Sequence, residues 1–132
     1  MAEEIRALLV HDNPETFRAL RPALESQAVR TVRARNCREI ARLLKSPNPP
    51  QLIFTEAQLP DGTWQDIVRL VEGSGSPINV IVVSRLVDVG LYIEVIERGA
   101  FDFIAPPFEP AALHHIVRCA ASDALSRRQP RA

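Results

Sequence analysis

Short apolar blocks alternate with helix-patterned segments five times along the chain. Ile5 to Val10 is nearly all apolar, as a strand covered on both faces should be. Asn13 and Pro14 predict the cap and first position of a helix whose apolar stripe is Phe17, Leu20 and Leu24. Pro22 falls inside that stripe and is expected to kink or shorten the helix. Residues 29–32 predict a second strand, and Asn36-Cys37-Arg38-Glu39 reads as a capping box opening a second helix with Ile40, Leu43 and Leu44 inward. Ser46-Pro47-Asn48-Pro49-Pro50 stops that helix, and residues 52–55 follow as the third strand. Thr63 with Asp66 is a second cap signature, for a helix that buries Ile67, Leu70 and Val71 and ends in the Gly73-Ser74-Gly75-Ser76-Pro77 stretch. Residues 78–83, the most β-branched stretch, predict the fourth strand. A fourth helix is expected from about Val87 to Arg98, stopping at Gly99, and a fifth strand over 101–104. Pro106 and Pro107 break that strand, and Pro110 opens a fifth helix carrying Leu113, Ile116, Val117, Ala120 and Leu125.

This alternation implies an α/β fold: a doubly wound, five-stranded parallel sheet of flavodoxin-like (βα)5 type, with right-handed crossovers and strand order 2-1-3-4-5. Ligands of such sheets sit at the carboxyl ends of the strands, beside the point where strand order reverses. Position alone therefore nominates His11, Asp12, Glu56, Ser84 and the Ala105-Pro106 pair. Residues 1–126 are expected to form the domain, and residues 127–132 a disordered tail or the start of a linker.

Composition narrows the function. The 132 residues suit one domain, and 46% hydrophobic with 24% charged residues is ordinary for a globular chain. Lys+Arg and Asp+Glu balance at 16 each, so no basic field advertises direct nucleic-acid binding. No apolar run approaches the roughly 20 residues of a membrane span, and no charged-then-apolar leader is seen, so a cytoplasmic location is the expectation. Cys37 and Cys119 form no CxxC pair and read as two small buried residues in a reducing compartment.

The stretch Gln51-Leu52-Ile53-Phe54-Thr55-Glu56-Ala57-Gln58-Leu59-Pro60-Asp61-Gly62 resembles the phosphorylation segment of the receiver domains of two-component response regulators. That family carries two acids after the first strand, an acceptor aspartate after the third, a Ser/Thr after the fourth and a Lys-Pro after the fifth. Here His11 and Asp12 stand at the acid pair, Glu56 at the acceptor, Ser84 at the hydroxyl position and Pro106 at the lysine. Arg98-Gly99-Ala100-Phe101-Asp102-Phe103-Ile104 resembles the family's turn into its last strand, with Phe103 at the switch aromatic. The resemblance covers the chain to about Ser126. In order and at these spacings the matches are specific, although each alone is weak.

Phosphoryl transfer to a carboxylate sets negative charge against negative charge, and needs magnesium and a fixed cation to offset it. Magnesium favours oxygen ligands, so with His11 replacing an acid only Asp12, Glu56 and a backbone carbonyl such as that of Gln58 remain. Pro106 carries no charge, and Glu56 reaches one methylene further than aspartate. The resemblance thus implies a receiver without its usual chemistry: no cofactor expected, magnesium weak or absent, and not an enzyme. Glu56 reads either as a solvated loop acid or as a partial imitation of a phosphate's charge. His11 is expected to hydrogen-bond Asp12 or Glu56, with pH sensing or transition-metal binding as lesser readings. Arg85 reads either as a solvated arginine or as an ion-pair partner of Glu56. Trp64 is expected to pack near the site, and His114 and His115, adjacent on a helix, to point to different faces.

The function these residues imply is that of an atypical receiver acting by protein–protein contact with a histidine kinase or a downstream output protein. Its working face would be the fourth helix, fifth strand and fifth helix. There Glu94, Glu97, Arg98, Asp102, Arg118 and Asp123 could serve a homodimer or simply be solvated. The rival readings are a receiver still phosphorylated on Glu56 or Asp12, and a flavodoxin-like domain binding a small ligand or metal in the same cleft. The sequence leaves open whether the chain stands alone or begins a longer regulator.

Overall fold

The computed structural model of the protein describes residues 4–85 and 88–128. Its main sheet holds β1 (Ile5–Val10), β2 (Val29–Ala34), β3 (Leu52–Glu56), β6 (Asn79–Val83) and β7 (Asp102–Ile104), all parallel, in the order β2-β1-β3-β6-β7. Counting only these strands, that is the expected order 2-1-3-4-5. A two-residue antiparallel pair, β4 (Gln58–Leu59) and β5 (Gly62–Thr63), closes the loop after β3. Five helices alternate with the strands: α1 (Leu20–Glu25), α2 (Cys37–Leu43), α3 (Trp64–Ser74), α4 (Val89–Glu97) and α5 (Pro110–Arg128).

Each central strand feeds two cores, because successive side chains point to opposite faces. On β3, Leu52 and Phe54 pack with Phe17, Leu20, Leu24, Leu113 and Val117 under α1 and α5. Ile53 points the other way and packs with Ile40, Trp64, Ile67, Val71 and Val95 under α2, α3 and α4. Burial on both sides explains why β3 and β6 read as unbroken apolar runs. The buried amide of Gln51 extends the ladder below β3: Arg6 N–H donates to its Oε1 at 2.7 Å, and its Nε2 donates to the Glu4 carbonyl at 2.9 Å.

Local chemistry sets most helix starts. Asn36 Oδ1 accepts from Glu39 N–H at 2.9 Å, and the Thr63/Asp66 capping box forms with Thr63 N–H donating to Asp66 Oδ2 at 2.9 Å. Asp88 caps α4 by accepting from Leu91 N–H at 3.2 Å, so that helix begins at Val89; the expected start at Val87 lies outside the described residues. Gly75 takes the left-handed conformation at the end of α3, φ +75°.

The first helix departs from expectation. Asn13 Oδ1 accepts from Glu15 N–H at 3.0 Å, closing a local turn, and residues 14–19 continue as turns before α1 begins at Leu20. Pro22 is the reason. In a helix starting at Pro14 its ring would meet the carbonyl of residue 18, whereas in a helix starting at Leu20 it falls in the first turn, where no N–H is required.

The far end also departs. Residues 127 and 128 were expected in a tail, yet α5 continues through Arg128, and both arginines are anchored beneath the sheet. Arg127 donates to Asp123 Oδ2 at 3.0 Å and to Asn79 Oδ1 at 2.9 Å, while Asn79 Nδ2 donates to the Ala120 carbonyl at 2.8 Å. Arg128 donates to the carbonyls of Pro77, Pro49 and Pro50. Residues 129–132 lie outside the described residues.

Truncation after Ser126 is therefore expected to lower stability by about 2 kcal/mol, through lost charge-assisted bonds and an underpaired Asn79. Urea denaturation of the full and truncated chains measures it, and equal midpoints would show residues 127–128 to be dispensable.

Candidate functional site

The strand order reverses at β1, whose chain neighbours β2 and β3 lie on its two sides. The carboxyl ends of β1 and β3 are therefore adjacent, with the acids that follow them, Asp12 and Glu56, at the lip of the sheet. Glu56 is the last residue of β3, and its carboxylate reaches across to the β1 end. Its Oε1 accepts from the backbone N–H of Asp12 at 2.8 Å and of Asn13 at 3.2 Å. The extra methylene of glutamate makes this reach possible. Burial pushes the Glu56 carboxyl above its ordinary range, the two N–H donors oppose that, and nearby Asp12 adds to it.

His11 does not make the expected hydrogen bond to Asp12 or Glu56. Its ring is 6% exposed and stacks on Phe17, centroids 4.5 Å apart and planes 25° apart, and its Nδ1 has no partner. The cause is direction. His11 N–H continues the sheet by donating to the Ala34 carbonyl at 3.0 Å, and its side chain turns inward to the α1 core instead of to the acids. Burial lowers the His11 pKa to about 4, and the charges of Arg33 and Arg21 add to the effect. The ring is then neutral at physiological pH, which removes the reading of a sensor near neutrality.

The pairing of Arg85 with Glu56 is likewise not formed. Arg85 Nη1 lies 3.5 Å from Glu15 Oε2, both side chains exposed, while Glu56 is turned onto the β1 backbone. Ser84, at the end of β6, is tied to the last strand by its N–H donating to the Ile104 carbonyl at 3.1 Å. Phe103 is half-buried against the core and meets Tyr92 of α4 edge-on, centroids 6.1 Å apart. Pro106 follows β7 and brings no charge to the lip. Gln58 is exposed on the β4–β5 hairpin, whose far end is pinned by Trp64 N–H donating to the Ala57 carbonyl at 3.1 Å.

The same loop has a structural anchor. Asp61 accepts from Cys37 N–H at 2.8 Å and Arg38 N–H at 3.1 Å, at the start of α2, and these bonds hold its carboxyl below the usual range. Gly62 is required by space, since a Cβ there would lie 2.6 Å from Asp66 Oδ2. Cys37 is buried and its thiol is pushed up to about 12, chiefly by burial and then by Asp61, which makes it inert. Cys119 was expected to be buried but lies exposed on α5, its Sγ 3.7 Å from His115 Nε2, because α5 buries Val117, Ala120 and Ala121 instead.

A divalent ion would find Asp12 and Glu56 as its carboxylates, with Glu56 Oε1 already accepting two bonds. Among the described residues no group of three His, Cys, Asp or Glu side chains is placed to hold a metal.

One feature escaped the sequence reading. The outer face of α4 exposes Val89, Tyr92, Ile93 and Ile96, at helical spacing, while Val95 faces the core. The charged residues expected to define that face are partly spent within the chain. Glu94 accepts from Gln65 Nε2 at 2.7 Å, Asp102 Oδ1 accepts from Phe103 N–H at 2.7 Å, and Asp123 is bonded to Asn79 and Arg127. The largely apolar run of α4, Val89 to Ile93 before Glu94 and Val95–Ile96 after it, was the available signal.

The buried, unpaired His11 has a measurable consequence. Between about pH 6.5 and pH 4 the unfolded chain binds a proton at His11 that the native chain does not, so native stability falls as pH falls through that window. The loss approaches about 3 kcal/mol at the acid end. Glu56, whose carboxyl is raised, acts with the opposite sign at the lower edge of the window. Urea denaturation across this range in metal-free buffer should show a steeper acid loss for the native chain than for His11→Gln, and identical slopes would refute it. Double-variant analysis of Arg85→Ala with Glu56→Gln should give additive stability losses, because the two side chains share no contact. A coupling above about 0.5 kcal/mol would restore the pairing.

Comparison with known proteins bears on this geometry. Residues 7–118 match the model of the response regulator receiver domain. The chain is 31% identical over 127 residues to the response regulator protein PilR of Pseudomonas aeruginosa, covering 96% of this chain and 27% of that protein. The signal receiver domain of the LuxO repressor protein of Vibrio parahaemolyticus superposes with a TM-score of 0.80 at 22% identity, over 95% of both chains. The beryllofluoride-activated NtrC4 receiver domain dimer superposes with a TM-score of 0.76 at 22% identity, over 90% of this chain and 98% of that one. The chain spans about a quarter to a half of the length of the curated relatives it matches. With the match running from the first strand into the last helix, this chain belongs to the response regulator receiver domains, the signalling domains of two-component systems.

Proposed function

We propose that this receiver works in cytoplasmic two-component signalling without phosphorylation, through contacts with a histidine kinase or a downstream output protein. One observation carries the reading: the Glu56 carboxylate, at the acceptor position, is held on the β1–α1 turn by the N–H groups of Asp12 and Asn13. A carboxylate so engaged is drawn back from the in-line geometry that transfer demands. The neighbouring positions reinforce this. His11 faces the core and Pro106 carries no charge, so neither a second metal-binding acid nor a neutralising cation reaches the transferring oxygens.

Glu56 imitates a phosphorylated acceptor only in part. It supplies one negative charge where a phosphate supplies up to about two, and that charge is directed across to the backbone amides of the β1–α1 turn. The consequence is a fixed receiver rather than a switched one. Its working surface is the α4–β7–α5 face, where the exposed stripe of Val89, Tyr92, Ile93 and Ile96 adjoins Phe103 through the Tyr92 ring contact. Aromatic and aliphatic side chains of this kind suit a protein partner or a second copy better than free solvent. Arg98 and Arg118 would give such an interface a charged rim.

The test is intact mass after incubation with magnesium and a small phosphoryl donor. The native chain is expected to remain unmodified, while the Glu56→Asp, Pro106→Lys, His11→Asp triple variant gains one phosphoryl group. A gain on the native chain would overturn the proposal, and mapping it to Glu56 or Asp12 would identify the acceptor.

A further inference from the structure

A small pocket opens beside the β1–α1 turn. It has a volume of about 220 Å³ and is lined by His11, Pro14, Phe17, Arg18, Arg21, Pro22 and Arg33. Three exposed arginines line it from two sides, Arg18 and Arg21 from the turn and helix after β1, and Arg33 from β2. Negative charge in the surroundings does not balance them. Arg21 makes an exposed pair with Glu25 at 3.4 Å, and Arg33 donates a long bond of 3.5 Å to the Asp12 backbone carbonyl. Arg18 has no side-chain hydrogen bond or ion pair among the described residues. Asp12 follows His11 on the lip, and Glu15 is engaged by Arg85.

The independent sign of a ligand is His11. His11 is among the residues that line the pocket, is more than nine-tenths buried, and its ring Nδ1 has no hydrogen-bond partner. Buried polar atoms left alone cost about 1–3 kcal/mol, so a native structure keeps one where something else satisfies it. A neutral imidazole has one N–H to donate. Beside three guanidiniums that donor points to an acceptor carrying negative charge.

We propose that this pocket binds a phosphate-class oxyanion, held by the guanidiniums of Arg18, Arg21 and Arg33 and by a ring N–H of His11. Planar guanidiniums match tetrahedral oxyanions through paired N–H donors, and such charge-assisted bonds are roughly twice as strong as neutral ones. The exposed Arg21–Glu25 pair contributes about 1 kcal/mol at most, so Arg21 is readily recruited. The volume is below that of a drug-sized ligand site, which limits the occupant to phosphate itself or a small monoester. Pro14, Phe17 and Pro22 supply an apolar wall on which the organic part of a monoester would rest. The pocket is separate from the acceptor position, because Glu56 does not line it and Glu56 contacts β1 through the backbone of Asp12 and Asn13.

The experiment is an NMR titration of the isotopically labelled chain with inorganic phosphate, repeated with phenyl phosphate and, at matched ionic strength, with potassium chloride. Backbone signals of His11, Arg18 and Arg33 and the His11 ring nitrogens should shift along one saturable curve with phosphate and not with chloride. Arg18→Gln combined with Arg33→Gln should weaken binding about tenfold or more, while Arg38→Gln combined with Arg42→Gln, an equal loss of charge outside the pocket, should leave it unchanged. Tighter binding of phenyl phosphate would identify a monoester as the better ligand, and equal or weaker binding would identify free phosphate. The proposal falls if neither anion gives a saturable shift, if the double variant binds as well as the native chain, or if the shifts centre on Glu56.

Discussion

Everything in this domain depends on one constraint: a parallel sheet leaves its strands to be covered on both faces. Leu52 and Phe54 go to one side of β3 and Ile53 to the other, and the helices are where they are because each core must be sealed. Polar chemistry is thereby driven to the ends of the strands. At the amino ends it is structural: Gln51 bonds the Arg6 and Glu4 backbone, Asn79, Asp123 and Arg127 bond one another, and Arg128 bonds the carbonyls of the proline loop. At the carboxyl ends, beside the reversal at β1, it forms the family's site. The two ends differ in purpose because only the carboxyl end gathers the segments that leave both sides of the central strand.

At that end the positions nominated by the resemblance carry side chains with partners of their own. An acid still follows β1, an acid ends β3, and a hydroxyl follows β6. The distances assign new partners. A carboxylate extended by one methylene reaches the neighbouring strand's amides, and a histidine in place of an acid turns from the lip into the core. Each change also makes reversion harder. Shortening Glu56 to aspartate would leave the Asp12 and Asn13 amides without their acceptor, and placing an acid at residue 11 would bury a carboxylate against Phe17 unless the side chain swung outward.

The fold was legible in the sequence because it rests on periodicity, caps and turn residues, all of them local. Asn36, Thr63 with Asp66, and Gly75 act in the structure where their sequence positions placed them. The departures came from both local and longer-range effects. Pro22 was seen as a fault in the first helix, but only the tertiary path shows the helix starting after it. Arg127 and Arg128 look like the start of a polar linker until their acceptors at Asn79, Pro49 and Pro77 are known. The site's residues were legible by position, and their partners were not. Sequence spacing put Glu56 and Arg85 at one lip, but rotamer and reach, which sequence does not carry, sent one to Asp12 and the other to Glu15. The exposed face of α4 was missed for a related reason: a helix with apolar residues on more than one side does not state which side is covered.

The two polar sites share a backbone hinge. The peptide N–H of Asp12 donates to Glu56, and the carbonyl of Asp12 accepts from Arg33. One residue therefore faces both the acceptor position and the arginine-lined pocket, and His11 immediately before it lines that pocket and packs on Phe17. A guanidinium recruited to an anion would loosen its long bond to the Asp12 carbonyl, and the amide that holds Glu56 lies within the same residue. In the family's ordinary arrangement, change at the acceptor is what the rest of the domain reads. In this chain Glu56, at the acceptor's position, is bonded to the β1–α1 turn, and the arginine-lined pocket opens beside that same turn, so the two sites meet at Asp12.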